Sequence, residues 1–313
     1  MTVRPFDWRD IPALIRYRHQ STYLDSALVL TRGSMLLPGA LLSYLAPAMG
    51  LYTSVSNGQE GLEGSLIGQI LHSVGNQFAH MTFLTPDESL DSPALPALLD
   101  YLAATVVERG ALRLLAEVDE RTTAFEAMHK AGFAIYSRQR VWQLTKQVPE
   151  EVKISGWHGA TEQDVIAIRS LYSNLVPGLV QQAEPFSTKH PRGLIYRDGD
   201  ELLAFVELRY GHRGIWAQPF VHPDAEDVAA HFFEMIQGLP YRRSRPVYLC
   251  VRSYQAWLEP AIEDLGAEAG PRQAVMVKHL AITQKAFRPF AIPALEGGHP
   301  EISAPLAHSE SEQ

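Results

Sequence analysis

The sequence predicts an α+β (mixed α/β) protein of two successive units, each a mostly antiparallel, twisted sheet flanked by helices. Three observations predict it. Short apolar runs of strand length are separated by the turn pairs Asn57-Gly58, Gly75-Asn76 and Asp198-Gly199. A strand–helix–strand pattern with a tight glycine exit, Leu112–Trp142, has a relative near the C-terminus at Val247–Leu280. Between these patterns the order of elements starts again, after a polar stretch, Gln147–Ser155, that contains Pro149. The expected division is therefore residues 1–148, a linker at 149–155, residues 156–282, and a tail at 283–313. Pro, Gly, Ser and Glu dominate that tail, without periodicity, so it is expected to be mostly disordered.

In the first unit Val3–Phe6 reads as a short strand. Asp10–His19 has helical spacing at Ile11, Leu14 and Ile15, and Ser34–Leu45 is apolar and helical after Pro38-Gly39. Leu51–Val55, Ser65–His72 and Gln77–Thr85 read as three strands. A proline-bearing loop from Pro86 to Pro96 precedes the amphipathic helix Ala97–Arg109, with Leu98, Leu99, Leu102 and Val106 on one face and Gly110 at its exit. Leu112–Val118 is the next strand. Thr123 and Glu126 have the spacing of a capping box, and Gly132 provides the left-handed exit that lets Phe133 fold back on Met128. Ala134–Leu144 closes the unit. The second unit repeats the order: a helix at Thr161–Leu175, strands at Leu194–Arg197, Glu201–Tyr210 and Gly214–Val221, a helix at Asp224–Ile236, and a strand at Pro246–Arg252. A helix starting near Trp257 follows, with Pro260 in its first turn. Gly266 ends it and the strand Ala274–Ile282 comes last.

Composition excludes several functional classes. The chain has 313 residues, 46% apolar and 20% charged, enough to bury a full core, and a net charge of −8. Phosphate-rich nucleic acid needs clustered Lys and Arg, and the one dense basic run, Tyr241-Arg242-Arg243-Ser244-Arg245, reads as a solvated turn. The single cysteine, Cys250, excludes a disulfide framework and a cysteine-based zinc site, and its apolar setting reads as an inert core thiol. The twelve histidines show no metal-ligand spacing. Met1–Pro5 has no leader pattern, and no apolar run approaches the roughly 20 residues a membrane span needs. A cytoplasmic protein without nucleic-acid or membrane partners is the expectation.

The order strand, two helices, three antiparallel strands, helix, strand, helix, strand resembles the GCN5-related N-acetyltransferase (GNAT) fold. The likeness is sharpest from Leu98 to Trp142, where the helix after the strand ends Lys130-Ala131-Gly132-Phe133. The second unit keeps Leu265-Gly266 but has Ala267 for the phenylalanine. Residues 1–282 thus resemble a divergent tandem member. The resemblance implies an acyltransferase that moves an acetyl or acyl group from acetyl-CoA or another acyl-CoA to a small amine. In that family the CoA lies where two parallel strands splay apart, with its pyrophosphate on a glycine-bearing helix N-terminus. Mapped here, Met81, Thr82, Phe83 and Leu84 would hold the pantetheine, and Ser92, Ala94 and Leu95 the pyrophosphate.

The residues also depart from that pattern. The loop Leu90–Leu95 has neither glycine, carries Asp91, and loses an amide at Pro93. In the second unit Asp224–Ala229 matches only at Ala229, and its acids read as stabilising their own helix N-terminus. Met128 and Ile262 stand where many members carry a tyrosine acid. His80 and Glu117, on central strands, are the candidate bases, His80 first because an imidazole is the side chain suited to taking a proton from an amine. His72 and Glu207 lie on the preceding strands of their units, and His222 follows the corresponding strand of the second. The everyday reading of any one of these is a solvated strand residue. Trp142, Trp216 and Trp257 read as core. The alternative to an acyltransferase is a catalytically silent binding or regulatory protein on the same fold.

Overall fold

The computed structural model describes residues 2–58, 61–145, 156–186, 190–240, 242 and 244–280. The expected linker (149–155) and tail (283–313) lie outside these residues, as do Tyr241 and Arg243 of the basic run. The first half runs β1 (Thr2–Pro5), α1 (Ile11–Arg16), β2 (Thr22–Tyr23), α2 (Ser26–Arg32), α3 (Leu36–Leu45), β3 (Leu51–Gly58), β4 (Gly61–Leu71), β5 (Phe78–Thr85), α4 (Ala94–Val107), β6 (Arg113–Asp119), α5 (Thr123–Lys130) and β7 (Ala134–Leu144). The second runs β8 (Trp157–Gly159), α6 (Val165–Leu175), α7 (Gly178–Ala183), β9 (Gly193–Asp198), β10 (Glu201–Tyr210), β11 (Ile215–Val221), α8 (Val228–Gln237), β12 (Val247–Arg252), α9 (Glu259–Asp264) and β13 (Glu268–His279).

All the described strands join one sheet in the order β1-β3-β4-β5-β6-β13-β7-β12-β11-β10-β9-β8, with β2 attached to β5. The closing strands are exchanged. β13, from the end of the second half, pairs with β6 of the first, and β7, from the end of the first, pairs with β12 of the second. β7 and β13 also pair with each other, antiparallel, at the centre. Two apolar clusters lie on either side of this seam, one around Leu98, Leu102, Met128 and Phe133, the other around Phe232, Met235, Leu249 and Ile262. Fully burying a side chain of this size contributes roughly 1.5–3 kcal/mol.

Among the described residues only two neighbouring pairs are parallel. β5 meets β6 at Phe78↔Arg113, Ala79↔Leu114 and His80↔Leu115, and β11 meets β12 at Ile215↔Val247, Trp216↔Tyr248 and Ala217↔Leu249. In each case three pairs form and the strands then part. These two splays, one per half, position everything that follows.

Several element boundaries move for local reasons. α4 begins at Ala94, ahead of the expected Ala97, because Pro96 falls in its first turn, where a missing amide costs nothing. The cap of α5 is Thr122, whose hydroxyl accepts from Phe125 N at 3.2 Å, so the Thr123–Glu126 pairing is replaced by one residue earlier. Gly132 adopts φ 89° and the Phe133 amide donates to Met128 O, as a left-handed exit requires. α8 starts at Val228. Asp227 sits at its cap with φ 46° and makes no side-chain capping bond. α9 begins at Glu259 with Pro260 second, after a tight turn at Ser253–Leu258. Trp142 and Trp216 are core, but Trp257 is 43% exposed, because that tight turn carries it outward. α2 and α7 are additions that the apolar spacing alone did not reveal.

Candidate functional site

The first splay is not open. After His80 and Leu115 part, the segment leading into α2 enters between the strands. Thr22 and Tyr23 pair with Leu84 and Phe83 of β5. Leu24 N donates to Thr82 O at 3.0 Å, and Glu117 N donates to Leu24 O at 2.9 Å. One residue of this chain therefore bridges both lips of the splay. Its side chain is 0% exposed and packs in the cluster that contains Met81, Leu84, Ala94 and Leu95. The next residues are anchored too. Ser26 N donates to Glu117 Oε2 at 2.8 Å, the Ser26 hydroxyl donates to Gln273 Oε1 at 3.0 Å, and Asp25 Oδ1 caps α2 by accepting from Leu28 N at 2.9 Å.

The second splay is closed differently. The Gln255 side chain, 2% exposed, donates to Val221 O at 3.1 Å and ties the end of β11 to the turn after β12. Pro219 lies in the middle of the parted stretch of β11 and offers no amide. A cavity of about 10 Å³, about what one water needs, lies under α8, lined by Trp157, Tyr196, Ala204 and Phe232 and by no residue of β12.

A larger cavity, about 520 Å³, lies at the seam between the halves. Asp25, Phe78, His80 and Glu117 line it from the first half; Tyr172, Glu184, Phe205, Glu207, Arg209, Gln218, Phe220, Arg252 and Tyr254 line it from the second. α2 packs by Ala27 against Trp216 and Cys250 of the second half, while α7 packs by Ala183 against Leu115 and Val277. Each half thus sends a helix over the other's strands, and the cavity lies between the start of one and the end of the other.

Two ion pairs organise its second-half wall. Arg252, 5% exposed, places Nη2 3.1 Å from both oxygens of Glu184, whose carboxylate also accepts from the Tyr136 hydroxyl. Burial pushes the Glu184 carboxyl up, but Arg252 and Tyr136 more than offset this and hold it below the usual range. Tyr172 adds a 2.6 Å bond to the Glu184 carbonyl. Arg209 Nε lies 3.0 Å from Glu207. Glu117 is in the opposite position: burial first, and the nearby charge of Asp25 second, raise its carboxyl above the ordinary value. Arg252 Nε and Nη1 are enclosed without an acceptor.

The candidate residues divide on this geometry. His80 and Glu117 are brought to one cavity. Glu207 joins it, paired with Arg209. His72 does not: it is 2% exposed and bound locally to Asn76 O. His222 faces Asp224 at 3.5 Å. Met81, Phe83, Leu84, Ala94 and Leu95 are core residues, and the Thr82 hydroxyl is engaged by Gln69 at 2.9 Å. The Ser92 and Leu95 amides are spent on Ser89 O and Ser92 O. Cys250 is buried, with its thiol pushed up to about 12 by burial. Asp25, Glu184, Arg209 and Arg252 are site residues that the sequence did not single out. Asp25-Ser26 before an apolar run is a cap signature that announces α2, and an arginine ending the buried strand Val247–Arg252 was a second signal. Nothing local marks Glu184. Among the described residues no three His, Cys, Asp or Glu converge on a metal position, and no single helix is long and apolar enough to cross a membrane.

A solved GCN5-related N-acetyltransferase from Sphaerobacter thermophilus superposes on 90% of this chain and 96% of its own, with TM-score 0.54 and 13% identity. The chain has the GNAT fold. A tandem GNAT protein from the clavulanic acid biosynthesis pathway is similar over 90% of this chain and 99% of its own (TM-score 0.49, 12% identity), and a GNAT-family acetyltransferase from Colwellia psychrerythraea over 89% and 100% (0.45, 13%). No protein-family model matches the sequence, and no curated protein matches it. The GNAT fold lays acyl-CoA in the splay after the third antiparallel strand. Here the lips of the first splay are hydrogen-bonded to Leu24, and the N-terminus of α4, flanked by Pro93 and Pro96, has spent the Ser92 and Leu95 amides. The residues of the first half do not fit a pantetheine arm. In the second half, the Gln255 side chain bonds the end of β11 at Val221 O.

Proposed function

We propose that this is a GNAT-fold binding protein whose ligand site is the seam cavity, with the acyl-CoA slot of the first half closed by its own Thr22–Ser26 segment. The observation that carries the reading is Leu24, which bonds to Thr82 O and Glu117 N at once. A ligand competing for that slot must break two buried backbone bonds and expose a core leucine. Each unsatisfied buried group costs about 1–3 kcal/mol, and exposing the leucine about 1.5–3 more. Residues 1–148 and 156–282 are taken as the two domains that together enclose the cavity. Titration calorimetry with acetyl-CoA is expected to show no binding up to millimolar ligand. A dissociation constant tighter than roughly 100 μM, about 5.5 kcal/mol, overturns it.

One observation favours a second reading. His80 and Glu117 face the same cavity, so an N-acyltransferase acting on a small amine would have its bases in place. That reading requires acyl-CoA to enter by displacing the Thr22–Ser26 segment or Gln255. Release of free CoA thiol on incubation with acetyl-CoA and an amine is its signature.

A further inference from the structure

Charge is unevenly spread along the chain. It carries 35 acidic side chains against 27 Lys and Arg, yet from Trp8 to Ser56 the only acids are Asp10 and Asp25, and both are buried. Asp10 is spent on Arg4 at 2.6 Å and Asp25 on the start of α2. In the same stretch Arg9, Arg16 and Arg18 are exposed, and from Gly33 to Ser56 no residue is charged. α1 and α3 share one apolar cluster, Ala13 and Leu14 with Leu36 and Ala40, over Val55, Ile67 and Phe83 of the sheet. The outward side of such a helix pair is ordinarily polar. Here Trp8 is 58% exposed, Leu45 73% and Met49 60%, and Ile15 and Tyr44 are exposed as well. An apolar surface of this kind, with a charged rim, marks a contact site.

The chemistry of this face selects its occupant. Two copies meeting through it would set arginines together with no acid on the face to answer them, a costly juxtaposition. A protein interface carries about one hydrogen bond per 100–200 Å², whereas Tyr44 supplies the one exposed polar side-chain group of α3, because the Ser43 hydroxyl is turned inward to Ala40 O and Thr53. A bilayer surface asks for what is present: apolar side chains, a tryptophan and a tyrosine with one apolar and one polar end, and arginines for lipid phosphates. We propose that the outer face of α1 and α3 rests on a bilayer containing anionic lipid, with Leu45 and Met49 in the interfacial layer and Arg9, Arg16 and Arg18 among the phosphates. α3 has 10 residues, about 15 Å, so it lies on a hydrocarbon core about 30 Å thick and does not cross it. Two acids mark the edge of the face: half-buried Asp7, before Trp8, and Glu88, which accepts from Gln20 past the end of α1. The excess acid elsewhere on the chain is repelled by an anionic leaflet, which turns this face toward it. Averaged over the whole chain the segregation disappears, which is why composition pointed away from a membrane. The proposal does not depend on what the seam cavity binds.

The test is vesicle sedimentation with the full chain, using vesicles of phosphatidylcholine alone and of phosphatidylcholine with about one third phosphatidylserine. The protein is expected to partition about tenfold more strongly onto the mixed vesicles, and to be released as salt rises from about 0.1 to about 0.5 M. Leu45→Ser with Met49→Ser is expected to lower that partitioning about tenfold. Arg9→Gln and Arg18→Gln are each expected to lower it about fivefold and to leave phosphatidylcholine binding unchanged. All four side chains are exposed, so each variant is expected to unfold with the cooperativity of the parent chain. Ile166→Ser, which alters an exposed apolar residue of α6 outside the face, is expected to change nothing. Absence of binding to mixed vesicles at about 1 mM lipid, equal partitioning onto both vesicle types, a Leu45→Ser/Met49→Ser chain that partitions as the parent does, or an equal loss in Ile166→Ser would each overturn the proposal. So would a concentration-dependent dimer that Leu45→Ser with Met49→Ser abolishes, since the face would then belong to a second copy.

Discussion

The two splays start alike and end as opposites. Each begins with three parallel pairs, the last being His80↔Leu115 in the first and Ala217↔Leu249 in the second. Two residues further on stand Thr82 and Glu117 in one, Pro219 and Val251 in the other. The first pair keeps a carbonyl and an amide facing the gap, and the chain supplies Leu24 to satisfy both. In the second, Pro219 keeps its carbonyl but has no amide, and the Gln255 side chain bonds Val221 O two residues further along. The difference teaches that a parted pair of strands must be completed by something, because unpaired backbone groups away from water are costly. Where the gap keeps its polar edges, a strand-like segment fills it. Where a proline has removed one donor, a side chain meets the edge further along. The first solution carries Asp25 and Ser26 into the seam cavity as a consequence, so closing the slot and building the cavity are one event.

The largest test of this comparison is at Arg252, which ends the lip of the second splay. Arg252→Met leaves Glu184 and the Tyr136 hydroxyl without their cation. Breaking a buried pair from one side costs about 3–5 kcal/mol, read as a drop in the denaturant midpoint at constant slope. A loss under 1 kcal/mol would mean that the pair is solvated and does not hold α7 over β7. Next comes Leu24→Ala, expected to cost about 2–5 kcal/mol as a buried leucine truncation. Gln255→Ala should cost less, about 1–3 kcal/mol, since one side-chain bond is lost and Val221 O is left unpaired. If Gln255→Ala proved the more damaging of the two, the second splay would be the structurally critical one and the contrast would reverse.

The frame of the molecule was legible because periodicity and glycine chemistry are local. Gly132-Phe133 set the exit of α5, and the turn pairs separated the strands, so the element order and the GNAT likeness could be read directly. His80 and Glu117 were legible for the same reason, being polar residues on apolar central strands. The closure of the slot was not. Thr22–Leu24 is too short for a period, and its partners, Thr82 and Glu117, are about 60 and 90 residues away. The exchange of β7 and β13 was hidden for a similar cause: a closing strand reads identically whichever half it pairs with. Glu184 became a site residue only in three dimensions, where the end of α7 brings it to Arg252 of its own half and Tyr136 of the first.

The smallest effect is also the most diagnostic in sign. Glu117 and Glu184 face one cavity but respond to pH in opposite directions. Glu184 is held below the usual carboxylate range, so it stabilises the fold above its unfolded-state value and loses that contribution as pH falls through its folded value. Glu117 is raised, so between the ordinary value near 4.3 and its higher folded value the native protein holds more protons than the unfolded chain. Stability then falls as pH rises through that window, and the deficit persists above it. Glu117→Gln removes the deficit while keeping an acceptor for Ser26 N. Its melting temperature is therefore expected to exceed that of the parent at pH 7–8, and the advantage to vanish as pH is lowered past the ordinary carboxylate value. Should the variant be less stable at pH 8 and equal at pH 4, the charge of Arg252 would outweigh burial and the charge of Asp25 at Glu117.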